Sequence, residues 1–247
     1  MYIDIKELSH KYSTADEDLL VLSDLSFSVG KEQFVSIVGP SGCGKSTLTK
    51  LIAGLSVPSK GKILISGSPV DSPRRSIGMA FQNPVLLEWR TALDNICLPL
   101  EIVSPQMTRI QKIARATELL EMVGLKDFSQ SRPSQLSGGM KQRVSLCRSL
   151  VHRPEILILD EPFGALDAFT REGLWKTLKD LKTSENFTCI LITHDLREAI
   201  YLSDEIVILT DRPGKVKKSV KINFKRNSNS IDELYSKEAT KMLAFLR

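Results

Sequence analysis

Three short apolar runs punctuate the chain, each ending in polar residues: FVSIVG over 34–39, ILILDE over 156–161 and TCILITHD over 188–195. Continuous apolar stretches of this length predict strands buried on both faces. Each is followed by a helical or loop-like segment, the alternation expected of a parallel α/β sheet. YIDIKELSHKY and LLVLSDLSFSV near the N-terminus alternate instead, as do KGKILISG and DEIVILTD, which predicts exposed antiparallel strands. Between Gln82 and Leu136 the texture turns helical. TRIQKIARATELLEMVGL carries apolar residues at Ile110, Ile113, Ala114, Leu120 and Val123, and Gly124 reads as its stop. The pattern as a whole predicts a helical insertion into a sheet domain, with no internal repeat and no linker separating two independent domains.

Composition narrows this picture modestly. The 247 residues suffice for one large α/β domain or two small ones at most. With 42% hydrophobic and 26% charged residues the chain reads as a soluble globular protein. No apolar run approaches the roughly 18 residues of a membrane span, and MYIDIKELSH lacks the apolar core of a signal peptide. A cytosolic protein is expected. Cys43, Cys97, Cys147 and Cys189 lie far apart with no CxxC pair, so single buried or reactive thiols are expected rather than a zinc site or disulfides. The net charge of +5 suits any anionic partner, whether nucleotide, lipid or nucleic acid.

Chemistry concentrates at the strand ends. GPSGCGKST, Gly39 to Thr47, fits G-x-x-x-x-G-K-[ST] and lies between an expected strand and the helix STLTKLIAGL. The residues Gly39, Pro40, Ser41, Gly42, Cys43 and Gly44 would turn backbone N–H groups inward around phosphates, aided by the positive end of the helix. Lys45 would reach the β and γ phosphates, the Ser46 hydroxyl would ligate Mg²⁺, and Thr47 would add a phosphate contact.

A phosphate cradle of this kind serves a kinase, a GTPase or an ATPase equally well. Asp160 closes the ILIL strand at the carboxyl end of the sheet, where ligands collect in open α/β folds, and there it would hold Mg²⁺. Strand alternation would send the neighbouring Glu161 to another side, free to polarise an attacking water as general base. His194 ends the TCILIT strand and would sense the γ-phosphate. Gln82 closes SIGMAFQ and would contact Mg²⁺ or the hydrolytic water.

A second glycine loop follows much later. Ser137, Gly138 and Gly139 precede MKQRVSLCRSLV, where Met140, Val144, Cys147 and Val151 define one buried helical face. Its residues alone support an anion site at a helix start, or simply a serine cap with glycines easing a turn.

Taken together, these motifs resemble the nucleotide-binding subunits of ATP-binding cassette (ABC) transporters over nearly the whole chain. GPSGCGKST is similar to the Walker A loop, Gln82 to the Q-loop, LSGGMKQR to the family signature and ILILDEP to the Walker B strand with its glutamate. GALD, ending in Asp167, is similar to the D-loop, His194 to the switch histidine, and Tyr12 to the aromatic that stacks on adenine. The resemblance implies a P-loop NTPase fold, RecA-like, with a parallel-sheet core, an N-terminal antiparallel β-subdomain and an inserted helical subdomain. It implies a nucleotide-binding domain over 1–235, its helical signature subdomain at about 84–150, and a short helical tail over 236–247.

The resemblance also implies ATP and Mg²⁺ as cofactors and a head-to-tail pair of nucleotide-binding subunits. The signature residues Ser137, Gly138 and Gly139 of one subunit would then close over the γ-phosphate held by the other. Transmembrane permease subunits are implied as partners, with a substrate-binding protein acting indirectly and no nucleic acid, on the cytoplasmic face of a membrane. FQNPVLLEWRTALDNICLPLEI, FGALDAFTRE and DRPGKV resemble the importers of nitrate, sulfonates, taurine and thiamine precursors. Glu88 departs from the proline frequent in that branch, and Ser145, Cys147 and Ser149 replace its usual alanines. An exporter with a separate membrane subunit, or a soluble cassette ATPase acting on DNA or ribosomes, are the alternative readings. The latter carry coiled-coil arms or paired cassettes, and the 82–136 interval has no sustained heptads for such an arm. The basic stretch RPGKVKKSVKINFKR, Arg212 to Arg226, reads as a solvated strand face, with a position near anionic lipid as the alternative.

Overall fold

The computed structural model describes residues 1–13, 17–164 and 166–222. The chain divides into two compact units, Met1–Arg74 with the chain from Thr188 onward, and Arg75–Phe187. The expected tail over 236–247 and the last four residues of the basic stretch lie outside the described residues.

The first unit begins with an antiparallel sheet. Strands β1 (Ile3–Ser13), β2 (Asp18–Val29), β4 (Lys60–Ile65) and β5 (Ser68–Pro69) take the order β2-β1-β4-β5. The alternation of β1 slips once: Ile3 and Ile5 are buried, then Leu8 and His10. The slip is a bulge at Glu7, whose φ of 49° is left-handed, and the register with β2 shifts between Ile5 and Leu8. Its N–H, lost to the ladder, donates to Ser26 Oγ at 2.9 Å. Asp24 on β2 repeats the device, with φ 52° and its N–H on Ser9 Oγ at 2.9 Å. Serine hydroxyls thus satisfy the N–H groups that each bulge frees.

The parallel strands of this unit are β3 (Phe34–Val38), β8 (Thr188–Thr193) and β9 (Glu205–Leu209), with β10 (Val216–Lys221) antiparallel at the edge, in the order β10-β9-β3-β8. Every residue of β3 and β8 is buried, as their unbroken apolar runs required. DEIVILTD corrects the expectation of an exposed antiparallel strand. It is β9, parallel to β3 with Val38 opposite Ile208, and Ile206–Leu209 are buried. Both sides of that strand are covered: Ile206 and Ile208 pack with Val38, Leu196, Ala199 and Ile200, while Leu209 faces Gly39. The lysines of β10 are exposed, in keeping with a solvated edge. Helix α1 (Lys45–Ile52) follows β3, and α6 (Leu196–Leu202) follows β8.

The second unit pairs β6 (Ile77–Ala80) with β7 (Ile156–Asp160) in parallel, Ala80 opposite Leu159. Its helices are α2 (Ala92–Val103), α3 (Arg109–Met122), α4 (Gly138–Leu150) and α5 (Ala168–Glu185). Thr91 caps α2 and Thr108 forms a capping box with Gln111 at α3; Gly124, φ 69°, follows the α3 end as expected. The expected apolar face of α3 is corrected. Ile110 and Ile113 are exposed, and the buried face runs through Arg115, Ala116, Leu119 and Leu120 to Val123. An arginine occupies that face because it caps other elements. Arg115 donates to Leu150 O and Val151 O at the end of α4, and bonds bidentately to Glu185 at the end of α5. Burial opposes its charge, but the bonds to Glu185 and Glu118 outweigh that and raise its pKa.

All four cysteines are buried. Burial pushes the Cys97 thiol up to about 11 and that of Cys147 to about 12, so neither is a nucleophile at neutral pH. Among the described residues no helix is long and apolar enough to cross a membrane.

Candidate nucleotide site

In the first unit, β3 stops at Val38 and the chain enters a loop that closes on α1. Cys43 N–H donates to Pro40 O at 3.4 Å, and Gly44 stands at the N-cap of α1 with φ 104°. A side chain at Gly44 is excluded twice over. That φ is costly for any other residue, and an added Cβ would lie 2.5 Å from Leu22 Cδ2. Lys45 is only 5% exposed, and its ammonium donates to the Gly39 and Pro40 carbonyls, both at 2.8 Å. The loop is therefore folded around the lysine it carries. Ser41, Gly42 and Ser46 are exposed on it and Thr47 is buried. Burial raises the pKa of the Cys43 thiol, against the pull of the neighbouring Lys45 charge.

One further expected residue touches this loop and another leaves the neighbouring strand at its level. Tyr12, on β1, brings its hydroxyl to 3.2 Å from Thr47 Oγ1. Its ring makes a T-shaped contact with that of His10, centroids 4.9 Å apart and planes at 88°, and the residue is 38% exposed. His194 follows β8, whose Thr193 is paired with Val38 of β3. Gly39 and His194 thus leave neighbouring parallel strands at the same level, where strand spacing is about 4.8 Å. His194 is exposed there.

The remaining expected residues belong to the second unit. Asp160 is the last residue of β7 and half-buried. Glu161 corrects the expectation of strand alternation. Its φ is 47°, so the backbone has already left the strand, and a turn rather than the pleat separates it from Asp160. Gln82 lies two residues past β6, exposed, beside Phe81, whose carbonyl accepts from Gln142 Nε2 at 3.4 Å.

Ser137 is the N-cap of α4, its Oγ accepting from Met140 N–H at 3.3 Å, and Asp167 is the N-cap of α5, accepting from Thr170 N–H at 3.0 Å. That backbone N–H holds the Asp167 carboxyl below its usual pKa. The two helix starts touch: an added Cβ at Gly139 would lie 2.5 Å from Thr170 Cγ2. At Gly138, by contrast, an added Cβ would meet nothing within 4 Å. The helix behind is buried on more than the expected face. Ser145, Cys147 and Ser149 are all in the core, so the residues that replace alanines there are packing residues.

The sequence reading missed His10, Thr193 and Glu198. His10 was legible as the i−2 partner of Tyr12 on one strand face. Thr193 and Glu198 carried no local signal, because a threonine ending a buried strand and a glutamate in a short helix look ordinary until the fold joins them. Thr193 Oγ1 donates to Glu198 Oε2 at 2.5 Å and accepts from Asp195 N–H at 2.9 Å.

A loop wrapped around its own lysine, at the end of a parallel strand and next to an exposed histidine, defines a nucleoside-triphosphate site of the P-loop class. Comparison with known proteins makes the class specific. The ABC transporter family model matches residues 22–164. The aliphatic sulfonates import ATP-binding protein of Bacillus thuringiensis subsp. konkukian is 39% identical over 243 residues, 98% of this chain and 95% of that protein. The bicarbonate transport ATP-binding protein of a Synechocystis species is 42% identical over 212 residues, 86% of this chain and 75% of that protein. Among solved structures, a dimeric ATP-binding cassette in a post-hydrolysis state, bound to ADP and Pi, superposes with a TM-score of 0.81 at 33% identity. It covers 90% of this chain and 99% of that one. The chain belongs to the ABC transporter family, as one of its ATP-binding ATPases.

Proposed function

We propose that this ATPase is the motor subunit of a multi-subunit importer for a small solute of the sulfonate, taurine, nitrate, bicarbonate or thiamine-precursor kind, working as a peripheral protein on the cytoplasmic face of the membrane. The observation that carries the importer reading is the likeness to a sulfonate import subunit along nearly the full length of both chains. Two copies would pair, permease subunits would receive the motion, and a substrate-binding protein would act through the permease.

Within this reading the roles follow from chemistry and motif. Tyr12 stacks on adenine, its exposed ring held by contacts to His10 and Thr47. The loop from Gly39 through Thr47 cradles the phosphates with N–H groups, Pro40, Ser41, Gly42, Cys43 and Gly44 supplying backbone. Lys45 exchanges the loop carbonyls it now holds for phosphate oxygens, so its position is preorganised and its gain on binding is an ionic acceptor in place of a neutral one.

Glu161 takes the proton of the attacking water, His194 donates toward the γ-phosphate, and Gln82 orients that water. Ser137, Gly138 and Gly139, with Asp167, face the nucleotide of a second copy. The open space around Gly138 supports this, since a phosphate can approach its N–H at a helix start.

Mg²⁺ fits the donor set. Among the described residues no group of three or more His, Cys, Asp or Glu is arranged to hold a metal. Ser46, Gln82 and Asp160 offer one carboxylate and two neutral oxygens, which suits an ion held chiefly by phosphate and water. When bound, it would neutralise phosphate charge as bonds to the γ-phosphorus change.

The domain extent of 1–235, with its helical part at about 84–150, belongs to the same proposal; the described helices α2 to α4 lie in that interval. The experiment is purification of the native complex. A permease and ATPase activity stimulated by a small anion and its binding protein are expected. Recovery with ribosomes or DNA, or stimulation only by outward transport, would overturn the importer reading.

A further inference from the structure

We propose that Thr193 and Glu198 are positioning residues for His194, fixing the backbone on both sides of it. The proposal rests on the reading of His194 as the group that contacts the γ-phosphate.

The Thr193 hydroxyl is used twice. It donates to Glu198 Oε2 at 2.5 Å and accepts from Asp195 N–H at 2.9 Å. The second bond runs from residue i+2 back to i and so spans His194 itself, a hydroxyl-closed turn. The first ties that turn to α6, where Glu198 is 2% exposed and Thr193 likewise. Asp195 is held again from the other direction, its carboxyl accepting from Arg197 N–H at 2.7 Å and its carbonyl from Ala199 N–H at 3.2 Å. Leu196, Ala199 and Ile200 pack on Val38, Ile206 and Ile208, so the helix that carries Glu198 is anchored to β3 and β9. Thr193 is meanwhile locked in register opposite Val38, the residue before the phosphate loop. His194 is the one residue of this turn left exposed between a buried residue on one side and a half-buried helix cap on the other.

A strand end that needed only packing would be met by valine and leucine, without burying a carboxyl and a hydroxyl. Burying a carboxyl is expensive unless it is well bonded. What that burial secures is direction. With Thr193 and Asp195 both tied, the Cα–Cβ bond of His194 points one way, and a donor aimed at a phosphate oxygen loses much of its effect when misplaced by about 1 Å.

The test compares the full-length chain with four variants, measuring ATPase kcat and KM and equilibrium ATP binding. His194→Ala calibrates the scale and should lose nearly all turnover. Thr193→Val keeps shape and removes both bonds; kcat should fall about tenfold while ATP affinity stays within about twofold. Thr193→Ser keeps the hydroxyl and should restore most of kcat. The double variant Thr193→Val with Glu198→Leu removes the buried carboxyl together with the hydroxyl that bonds it and should show the same loss in kcat as the single variant, because the two residues act as one unit.

A folded Thr193→Val or double variant with undiminished kcat, beside an inactive His194→Ala, would overturn the positioning proposal and leave the functional reading standing. Full activity in His194→Ala would instead overturn the functional reading of that histidine. A Thr193→Ser variant as impaired as Thr193→Val would also count against the hydroxyl's role.

Discussion

The chain has two glycine loops at helix starts, and their surroundings differ. The loop over Gly39–Thr47 is closed on itself: Lys45 is buried and bonded to two of the loop's own carbonyls, and Gly44 has no room for a side chain. The loop at Ser137–Gly139 is packed against Thr170 at Gly139 but open at its first two residues. Ser137 is exposed and caps its helix, while Gly138 faces space. A glycine required by its own fold is recognised by φ and by contact, as at Gly44; Gly138 has neither constraint. The first loop is folded around its own lysine, and at the second Gly138 has free space beside it at a helix start.

Substitutions can break this contrast, and the largest expected effect comes from the closed loop. Lys45→Ala removes the charge at its centre, so ATP affinity should fall by about 100-fold and turnover should vanish, measured by equilibrium binding and ATPase assay. Gly44→Ala comes next: left-handed φ and the clash with Leu22 together should cost about 2–4 kcal/mol in denaturant unfolding. Gly138→Ala should behave oppositely, leaving stability unchanged or up to about 1 kcal/mol higher while lowering turnover. A Gly138→Ala chain with full ATPase activity would erase the distinction between the loops.

Ser137→Asp sharpens the contrast further. Aspartate is as good a cap as serine, so stability should hold within about 0.5 kcal/mol, yet a negative charge facing a phosphate should suppress turnover. The smallest effect is expected at Tyr12→Phe, where loss of the hydroxyl bond to Thr47 should weaken ATP binding by about twofold to tenfold with kcat retained.

Much of this was legible before folding. The buried strands announced themselves as unbroken apolar runs, and the phosphate loop and its helix followed from glycine spacing. Reading failed where tertiary context decides. DEIVILTD resembles an alternating strand until flanking elements cover both of its faces. The apolar spacing of α3 points to the wrong face, because Ile110 and Ile113 are exposed while Arg115 is drawn inward by the carbonyls and carboxyls it caps. The Asp160–Glu161 pair read as strand alternation, but a left-handed φ at Glu161 ends the strand between them. Thr193 and Glu198 were invisible because their partnership depends on how a helix packs back on the strand it follows.

The central claim, that Ser137 and its glycines complete a site held by another copy, is tested most directly by ATP-dependent association of hydrolysis-deficient chains. Glu161→Gln should form a dimer when ATP is added, seen by sedimentation or light scattering. Adding Ser137→Arg to that chain should abolish the dimer while each monomer still binds ATP. A Ser137→Arg, Glu161→Gln chain that dimerises with ATP as readily as Glu161→Gln alone would contradict it.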